Sequence, residues 1–171
     1  MDEAELRERQ TDPVREAARH WGERYPDDSG FLGLVSLIRT YSVVVRSVEA
    51  VLRPLGLNLS RFEVLLLLSF TRAGRLPSMR LRDLLMVHGS SVTYLVDRLE
   101  EAGLIERLSD PADGRVSLVS LTAAGRTLID RAARDLAAAG FGTFGDLDED
   151  ERIGLARLLA DLRGASAAAA Q

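Results

Sequence analysis

Hydrophobic periodicity changes abruptly at Gly103 of this 171-residue chain, and the change restricts the possible folds more than any other feature. Before Gly103, apolar residues recur with the spacing of one helix face, at Val92, Leu95, Val96 and Leu99. After it, apolar and polar residues alternate over 104–108 and 116–121, as in strands, and the 109–115 connector is rich in turn formers. The pattern predicts a helix over 90–102 that leads directly into a two-stranded hairpin.

Two more helices are predicted upstream of this unit. Ser60 and Glu63 fit a capping box, with Ser at the N-cap and Glu at N3, and the helix that they open reaches about Arg72. A short helix follows from Arg80 to about Met86. The predicted order is helix, short helix, turn, helix and hairpin, as in a winged helix-turn-helix. In that motif the helix that follows the turn enters the DNA major groove. The predicted fold class is mainly α with a small β-hairpin wing.

Longer helical patterns flank the predicted winged region. Residues 31–52 form a largely apolar helical pattern whose apolar positions occupy more than one face. A helix that is apolar over so wide an arc must be buried on several sides, so we expect it to pack against more than one neighbour. Helices are also predicted over 122–139, with Thr122 as its cap, and over 149–163, with Asp148 as part of its cap.

Residue composition excludes several classes of function. The chain has no cysteine, which excludes disulfides, thiolate nucleophiles and cysteine-ligated zinc. All 22 basic residues are arginine, which removes Schiff-base chemistry and the lysine of phosphate-binding loops. The two histidines, His20 and His88, lie in different predicted elements and have no companion at metal-ligand spacing. We therefore expect no enzymatic activity, no metal site and no cofactor.

Charge and hydropathy are those of a soluble protein that can still bind DNA. The formal net charge is −4, but the stretch from Arg72 to Arg115 is neutral, with seven arginines and seven acidic residues. An acidic chain can bind DNA when its arginines gather on one face. No apolar run approaches the ~20 residues of a membrane span, and the charged segment 1–10 has no signal-peptide core. The expected location is the cytoplasm, with no membrane partner.

Small and polar residues mark the start of the predicted 90–102 helix and allow a close approach to DNA. They are His88 at the turn, followed by Gly89, Ser90, Ser91 and Thr93. The free N–H groups and the dipole at such a helix end favour a phosphate. Tyr94 and Arg98, four residues apart, point outward towards the groove. Arg98 either contacts DNA there or pairs with Glu101 on a solvated face.

Arg115, near the tip of the hairpin, is the candidate for minor-groove contact. Narrow A·T tracts concentrate negative potential in that groove and attract arginine. Either Asp113 in the hairpin or Asp97 in the preceding helix could hold this arginine in position. Because Asp-Gly is a common hairpin turn, Asp113 is also explained by the turn alone.

Taken together, these residues resemble the MarR family of bacterial regulators. The matching segments, in order, are 91–93 (SVT), 95–100 (LVDRLE), 103–107 (GLIER), 110–113 (DPAD), Arg115 and 121–125 (LTAAG). The resemblance covers roughly residues 31–163. It implies a sequence-specific DNA-binding regulator and a homodimer in which the first and last helices of each chain interleave. Tyr94 and Gly114 stand where many relatives carry arginine, so we expect an unusual base preference.

The N-terminal extension, with a short helix predicted over 13–21, resembles the additional helix of the urate-responsive branch of this family. In that branch a Trp, an Asp and an Arg organise the ligand site, and this chain has Trp21, Glu63 and Leu95 at those places. Another small aromatic or anionic ligand is the alternative, with Arg39 as a partner for its charge. Trp21 could instead pack the extra helix onto the dimer, and Arg39 could pair with an acid across it.

The predicted organisation has five parts. They are an N-terminal extension (1–30), a dimerisation helix (31–58), a winged helix-turn-helix region (59–121), C-terminal dimerisation helices (122–164) and a disordered tail (165–171). We expect a homodimer that binds double-stranded DNA at a pseudo-palindromic operator, represses transcription and is released by a small aromatic or anionic ligand. The alternative is a winged-helix protein-interaction module with weak or lost DNA specificity. The sequence identifies neither the operator nor the ligand.

Overall fold

The computed structural model describes residues 12–25, 28–85, 89–111, 113–143 and 147–169. Its elements in chain order are α1 (Pro13–Gly22), α2 (Asp28–Leu52), a 3₁₀ turn (Arg53–Leu55), α3 (Leu59–Ser69), β1 (Arg75–Pro77), α4 (Ser78–Leu85), α5 (Gly89–Glu101), β2 (Ile105–Ser109), β3 (Ser117–Leu121), α6 (Ala123–Ala138) and α7 (Glu149–Ala169). The predicted fold class, mainly helical with a β-hairpin wing, is confirmed.

The chain divides into two compact units, Met1–Ser47 and Val48–Gln171. The division lies inside α2, within the predicted dimerisation helix (31–58). In the first unit, α1 begins at Pro13, as predicted. Asp12 is its N-cap, and the Asp12 Oδ1 accepts a hydrogen bond from Val14 N at 3.1 Å. Pro13 occupies the first helical position, where its missing N–H costs nothing.

The sheet of the second unit has three antiparallel strands in the order β1-β3-β2. β2 and β3 form the predicted hairpin, with Ile105 opposite Leu121. β1, which pairs with β3, was not predicted from the sequence, so the predicted two-stranded hairpin is part of a larger sheet. Three residues are too few to show an alternating pattern, and Pro77 is typical of a turn and not of a strand. An edge strand tolerates proline because the N–H groups on its outer side have no ladder partner.

The hydrophobic core of the second unit lies between α3, α5, α6 and the sheet. α3 packs on α6 and α5, and α5 packs on β2. The most deeply buried side chains include Leu52, Leu65, Leu68, Leu81, Leu99, Ile105, Val119 and Ile129. Fully burying each of them stabilises the fold by about 1.5–3 kcal/mol, before the entropy of ordering the chain is subtracted. The core therefore holds α5 firmly against the hairpin.

The start of α6 is joined to the end of α5 by close backbone contacts. Thr122 caps α6 as predicted, because its Oγ1 accepts from Gly125 N at 3.0 Å and donates to Gly103 O at 2.8 Å. A Cβ on Gly125 would lie 2.0 Å from Leu104 O, closer than two such atoms can approach. Position 125 therefore requires glycine for helix α6 to begin against the strand entry.

The cap and the end of α3 differ from the predictions. Asn58, and not Ser60, is the N-cap, with Oδ1 accepting from Arg61 N at 2.9 Å. Asn and Ser are comparable caps, so two acceptors two residues apart leave the start ambiguous in the sequence. The helix ends at Ser69, with Phe70 as its C-cap, and does not reach Arg72.

α7 is longer than predicted. The sequence predicted a helix to Arg163 and a disordered tail over 165–171, but the helix continues to Ala169. Alanine has the highest helix propensity, so the alanine-rich end extends the helix. Its start is as predicted: Asp148 Oδ1 accepts from Glu151 N, and Glu151 Oε2 accepts from Asp148 N, both at 2.9 Å. These two bonds form a reciprocal capping box.

One segment of the described residues, Ser29–Leu55, is a helix long and apolar enough to cross a membrane, by length and composition alone. This corrects the expectation that no apolar run approaches that length. An apolar helix that packs against protein passes the same test. Arg39 and Arg46 lie within the segment, and a hydrocarbon environment strongly disfavours charged side chains. The segment is therefore better suited to a protein interface than to lipid.

Candidate nucleic-acid interface

Helix α5 has one buried face and one exposed face. The buried face consists of the residues that the spacing predicted, Val92, Leu95, Val96 and Leu99. Ser91 and Thr93 are exposed near the N-terminus of the helix, whose first turn contains Gly89 and Ser90. His88 lies outside the described residues. The first turn of a helix carries N–H groups without intrahelical acceptors, and these favour an anion. The described side chains at this end are thus polar and accessible.

Tyr94 and Arg98 lie on the exposed face of α5, as predicted. The Arg98 guanidinium carbon is 5.3 Å from the centroid of the Tyr94 ring, a cation–π distance. Arg98 Nη1 also donates to Glu101 Oε2 at 2.6 Å. The pairing that the sequence left open for Arg98 therefore exists in this structure. Such an exposed ion pair contributes only about 0–1 kcal/mol, so Arg98 can exchange it for another anion.

In the hairpin, Asp113 interacts with the backbone of Arg115 and not with its guanidinium. Asp113 Oδ1 accepts from Arg115 N at 3.0 Å, and Asp113 O accepts from Val116 N at 2.9 Å. These bonds close a turn, which is the simpler of the two explanations considered for Asp113. Arg115 is exposed, and its side chain forms no ion pair with the described residues. The Arg115 guanidinium is therefore open to a partner.

Arg107, on β2, was not identified from the sequence and joins the hairpin to α5. Its Nη2 donates to Asp97 Oδ1 at 2.5 Å, its Nη1 donates to Glu100 Oε2, and its backbone N donates to Glu100 Oε1 at 3.1 Å. The bond to Asp97 raises the pKa of Arg107, and the charge of Glu100 raises it further. Asp97 therefore holds Arg107 and not Arg115, so the alternative in which Asp97 positions Arg115 is wrong.

A cleft of about 260 Å³ lies beside this ion-pair cluster. It is lined by residues of α4, α5 and β2: Ser78, Arg82, Val92, Thr93, Val96 and Arg107. Two arginines stand next to two valines, so the cleft combines positive charge with an apolar surface. All of these residues belong to the same unit as the candidate DNA-facing side chains.

The three predicted ligand contacts are all solvent-accessible. In the first unit, the Trp21 ring stacks on the Phe31 ring, with centroids 4.5 Å apart and planes 10° apart. The Tyr25 ring also has its centroid 4.5 Å from that of Trp21, and its plane is tilted by 39°. Arg39 is exposed on α2. In the second unit, Glu63 is exposed on α3, and partial removal of its carboxylate from water raises its pKa above the ordinary value. These three roles remain predictions.

Metal ligands do not cluster in the described part of the chain. No group of three or more His, Cys, Asp or Glu side chains among those residues is arranged to hold a metal ion. The three acidic side chains of α5, Asp97, Glu100 and Glu101, are each paired with an arginine. Their arrangement serves ion pairing with the protein itself.

Comparison with known proteins gives consistent matches. A model of the MarR family matches residues 55–116. The HTH-type transcriptional repressor Rv2887 of Mycobacterium tuberculosis is 32% identical over 126 residues, which are 74% of this chain and 89% of that protein. Sco5413, a MarR family transcriptional regulator from Streptomyces coelicolor, is 36% identical, with a TM-score of 0.71 over 81% of this chain and 95% of that one. CouR from Rhodococcus jostii, solved with p-coumaroyl-CoA, is 32% identical, with a TM-score of 0.65 over 78% of this chain and 90% of CouR.

Proposed function

Because the chain belongs to the MarR family of DNA-binding transcriptional regulators, we propose that it is a repressor that binds a pseudo-palindromic operator as a homodimer. The observation that carries the proposal is the joint exposure of the outer face of α5 and of the Arg115 guanidinium on the hairpin. In a winged helix-turn-helix these are the parts that reach the major groove and the adjacent minor groove. The family and the relatives are regulators and not enzymes, and we place the protein in the cytoplasm, where it meets DNA.

Apolar side chains exposed in the monomer support the dimer. On α2 they are Leu34, Ile38, Tyr41 and Val43, and on α7 they are Ile153, Leu158 and Leu162. A soluble monomer rarely exposes so many large apolar side chains on its helices unless a partner covers them. A two-fold dimer buries the same surface of both protomers against each other. Two α5 helices, one from each protomer, then face successive major grooves.

In the proposed complex each side chain has a distinct task. The first turn of α5, with Gly89, Ser90, Ser91 and Thr93, approaches a phosphate. His88, which precedes Gly89 in the sequence and lies outside the described residues, is proposed as a further DNA contact. Tyr94 and Arg98 face the base edges, where tyrosine offers a hydroxyl or a contact with a thymine methyl group. Arg115 enters the minor groove, with its backbone held in the turn by Asp113. Phosphate contacts give affinity, and base contacts give specificity.

A small aromatic or anionic ligand is proposed to release the repressor. CouR, solved with p-coumaroyl-CoA, supports this ligand class. In the first unit, Trp21 offers a stacked aromatic surface and is 38% exposed, and Arg39 offers a positive charge. In the second unit, Glu63 offers a hydrogen-bonding carboxyl group, and it is proposed as a ligand contact separately from the other two. The two winged helix-turn-helix regions of the dimer, one per protomer, can adopt different relative arrangements. A ligand that binds one of these arrangements more tightly shifts the population towards that arrangement, by the difference in binding free energy.

The test is binding to DNA from the protein's own upstream region, with unrelated duplex DNA as competitor. A specific regulator of this size binds its operator about 10³-fold or more tightly than unrelated DNA. Half-sites for a two-fold dimer lie about 10–10.5 base pairs apart, so an insertion of about five base pairs between them puts them on opposite faces of the duplex. We expect this insertion to abolish selective binding. Equal affinity for all duplexes would instead identify a winged-helix module without DNA specificity.

A further inference from the structure

Three side chains on the outer face of α5 are linked in a row. Tyr94, Arg98 and Glu101 follow at intervals of four and three residues, so they lie on one side of the helix. The Arg98 guanidinium lies over the Tyr94 ring and donates to Glu101 at 2.6 Å. The exposed fractions of the Arg98 and Glu101 side chains are 47% and 60%. Arg98 is thus bound to an acid at the position where the proposed function requires it to meet DNA.

The direction of side chains on a helix makes this pairing informative. Helical side chains lean towards the N-terminus of their helix, which for Arg98 is the side of Tyr94 and of the proposed DNA contact. Glu101 lies on the opposite side, nearer to the C-terminus of α5. The Arg98 guanidinium donates to Glu101 while it stays within cation–π distance of the Tyr94 ring, so Glu101 occupies a donor of Arg98 without moving it from the Tyr94 side. The contact with Tyr94 holds the guanidinium on the outer face of the helix, where DNA can replace Glu101 as its acceptor.

The pairing of Arg98 differs from that of two other arginines in the winged helix-turn-helix region, Arg107 and Arg115. The Arg107 guanidinium donates to both Asp97 and Glu100, and the Arg107 backbone N also donates to Glu100. Arg107 is therefore fully engaged in contacts within the protein. Arg115 forms no ion pair with the described residues, so it needs no release. Arg98 alone, among the three, combines a DNA-facing position with a single exposed and exchangeable acidic partner.

We infer that Glu101 is an internal competitor of DNA for Arg98, and that this positioning residue lowers the affinity of the protein for its operator. The inference rests on the proposed function. Because an exposed ion pair is weak, its loss is expected to change affinity about threefold per protomer and about tenfold for a dimer. The effect falls as salt rises, because salt screens exposed charges.

The experiment measures operator affinity for the wild-type protein, Glu101→Gln and Glu106→Gln at low and at high salt. Glu106 is an exposed acid on β2, so its variant controls for the loss of one negative charge near the interface. We expect Glu101→Gln to bind about tenfold more tightly than wild type at low salt, with a smaller gain at high salt. We expect Glu106→Gln to bind about as tightly as wild type.

Repeating the Glu101→Gln substitution in an Arg98→Ala background separates competition from simple repulsion of DNA. If Glu101 acts through Arg98, the gain disappears when Arg98 is absent. A gain that persists in this background, or that equals the effect of Glu106→Gln, overturns the inference while leaving the proposed function intact. Failure of the wild-type protein and of all variants to select the operator overturns the proposed function itself, and the inference with it.

Discussion

Arg107 Nη2 lies 2.5 Å from Asp97 Oδ1, and this ion pair joins the first strand of the hairpin to the helix that precedes it. Glu100, one turn farther along the helix, binds both the side chain and the backbone of Arg107. The Arg107 side chain is only 34% exposed, so these bonds are better shielded from water than an ordinary surface pair. The angle between α5 and the hairpin, and with it the distance from Arg98 to Arg115, depends on this cluster.

Replacing Arg107 is expected to destabilise the second unit. Arg107→Gln should lower the free energy of unfolding by about 1–2 kcal/mol, because a partly shielded, charge-assisted network is lost. Arg107→Lys should restore less than half of that, since one ammonium cannot bridge two carboxylates as a guanidinium does. Urea unfolding measures the free energy of unfolding of both variants. Arg131→Gln is the control, because Arg131 makes a single exposed pair with Asp135 at 3.7 Å. Equal losses for Arg107→Gln and Arg131→Gln would show that the cluster has no special role.

Gly125 is expected to be intolerant of any side chain. Its Cβ position is 2.0 Å from Leu104 O, so Gly125→Ala forces α6 away from the entry to β2. We expect a loss of about 3 kcal/mol in the free energy of unfolding. Gly164→Ala is the matched control, because Gly164 is also helical and has nothing within 4 Å of its Cβ position. It should stabilise the protein by about 0.5–1 kcal/mol. Similar melting temperatures for the two variants would contradict this packing.

Local signals in the sequence predicted the elements that carry the candidate interface. The change of period at Gly103, the Thr122 cap and the Asp148 capping box each depend on residues a few positions apart, and the structure contains all three. β1 was missed because three residues with a proline give no pattern of their own, and the strand exists only through pairing with β3. The role of Arg107 was missed because it depends on the angle between α5 and β2, which no local spacing encodes.

The apolar surface of α7 predicts the oligomeric state. Leu158 is 70% exposed in the protomer, and Leu158→Glu places a charge in the proposed interface, where it has no partner. We expect this variant to elute as a monomer in size exclusion with light scattering. Its operator affinity should fall about 10²-fold or more, because the two half-sites are then no longer bound as one unit. Ala124→Glu, which adds the same charge at an exposed position on α6, should remain dimeric. A dimeric Leu158→Glu protein would exclude α7 from the interface.

Glu63 predicts a pH-dependent contribution to stability. Its pKa is raised in the folded protein by partial burial, so between its ordinary value of 4.5 and the folded value the folded state binds more protons than the unfolded state. Stability from this group is therefore present at low pH and is lost as pH rises through the folded pKa. Glu63→Gln should raise the melting temperature near neutral pH but not at about pH 4, with a gain below about 1 kcal/mol because the side chain is largely exposed. Glu106→Gln is the control for the loss of one charge, and an equal gain at both pH values would refute the assignment.

The most direct test of the central claim is the salt dependence of operator binding by the wild-type protein and by Arg115→Ala. We expect wild-type binding to weaken steeply as salt rises, since phosphate contacts release counterions. Arg115→Ala, still dimeric, should bind about 1–3 kcal/mol more weakly, with a log–log salt slope reduced by about one for each arginine lost. Arg131→Ala, which removes an arginine from α6, should change neither quantity. Wild-type binding that ignores salt, or an Arg115→Ala protein with unchanged affinity and slope, would contradict the assignment of α5 and the hairpin as the DNA-binding surface.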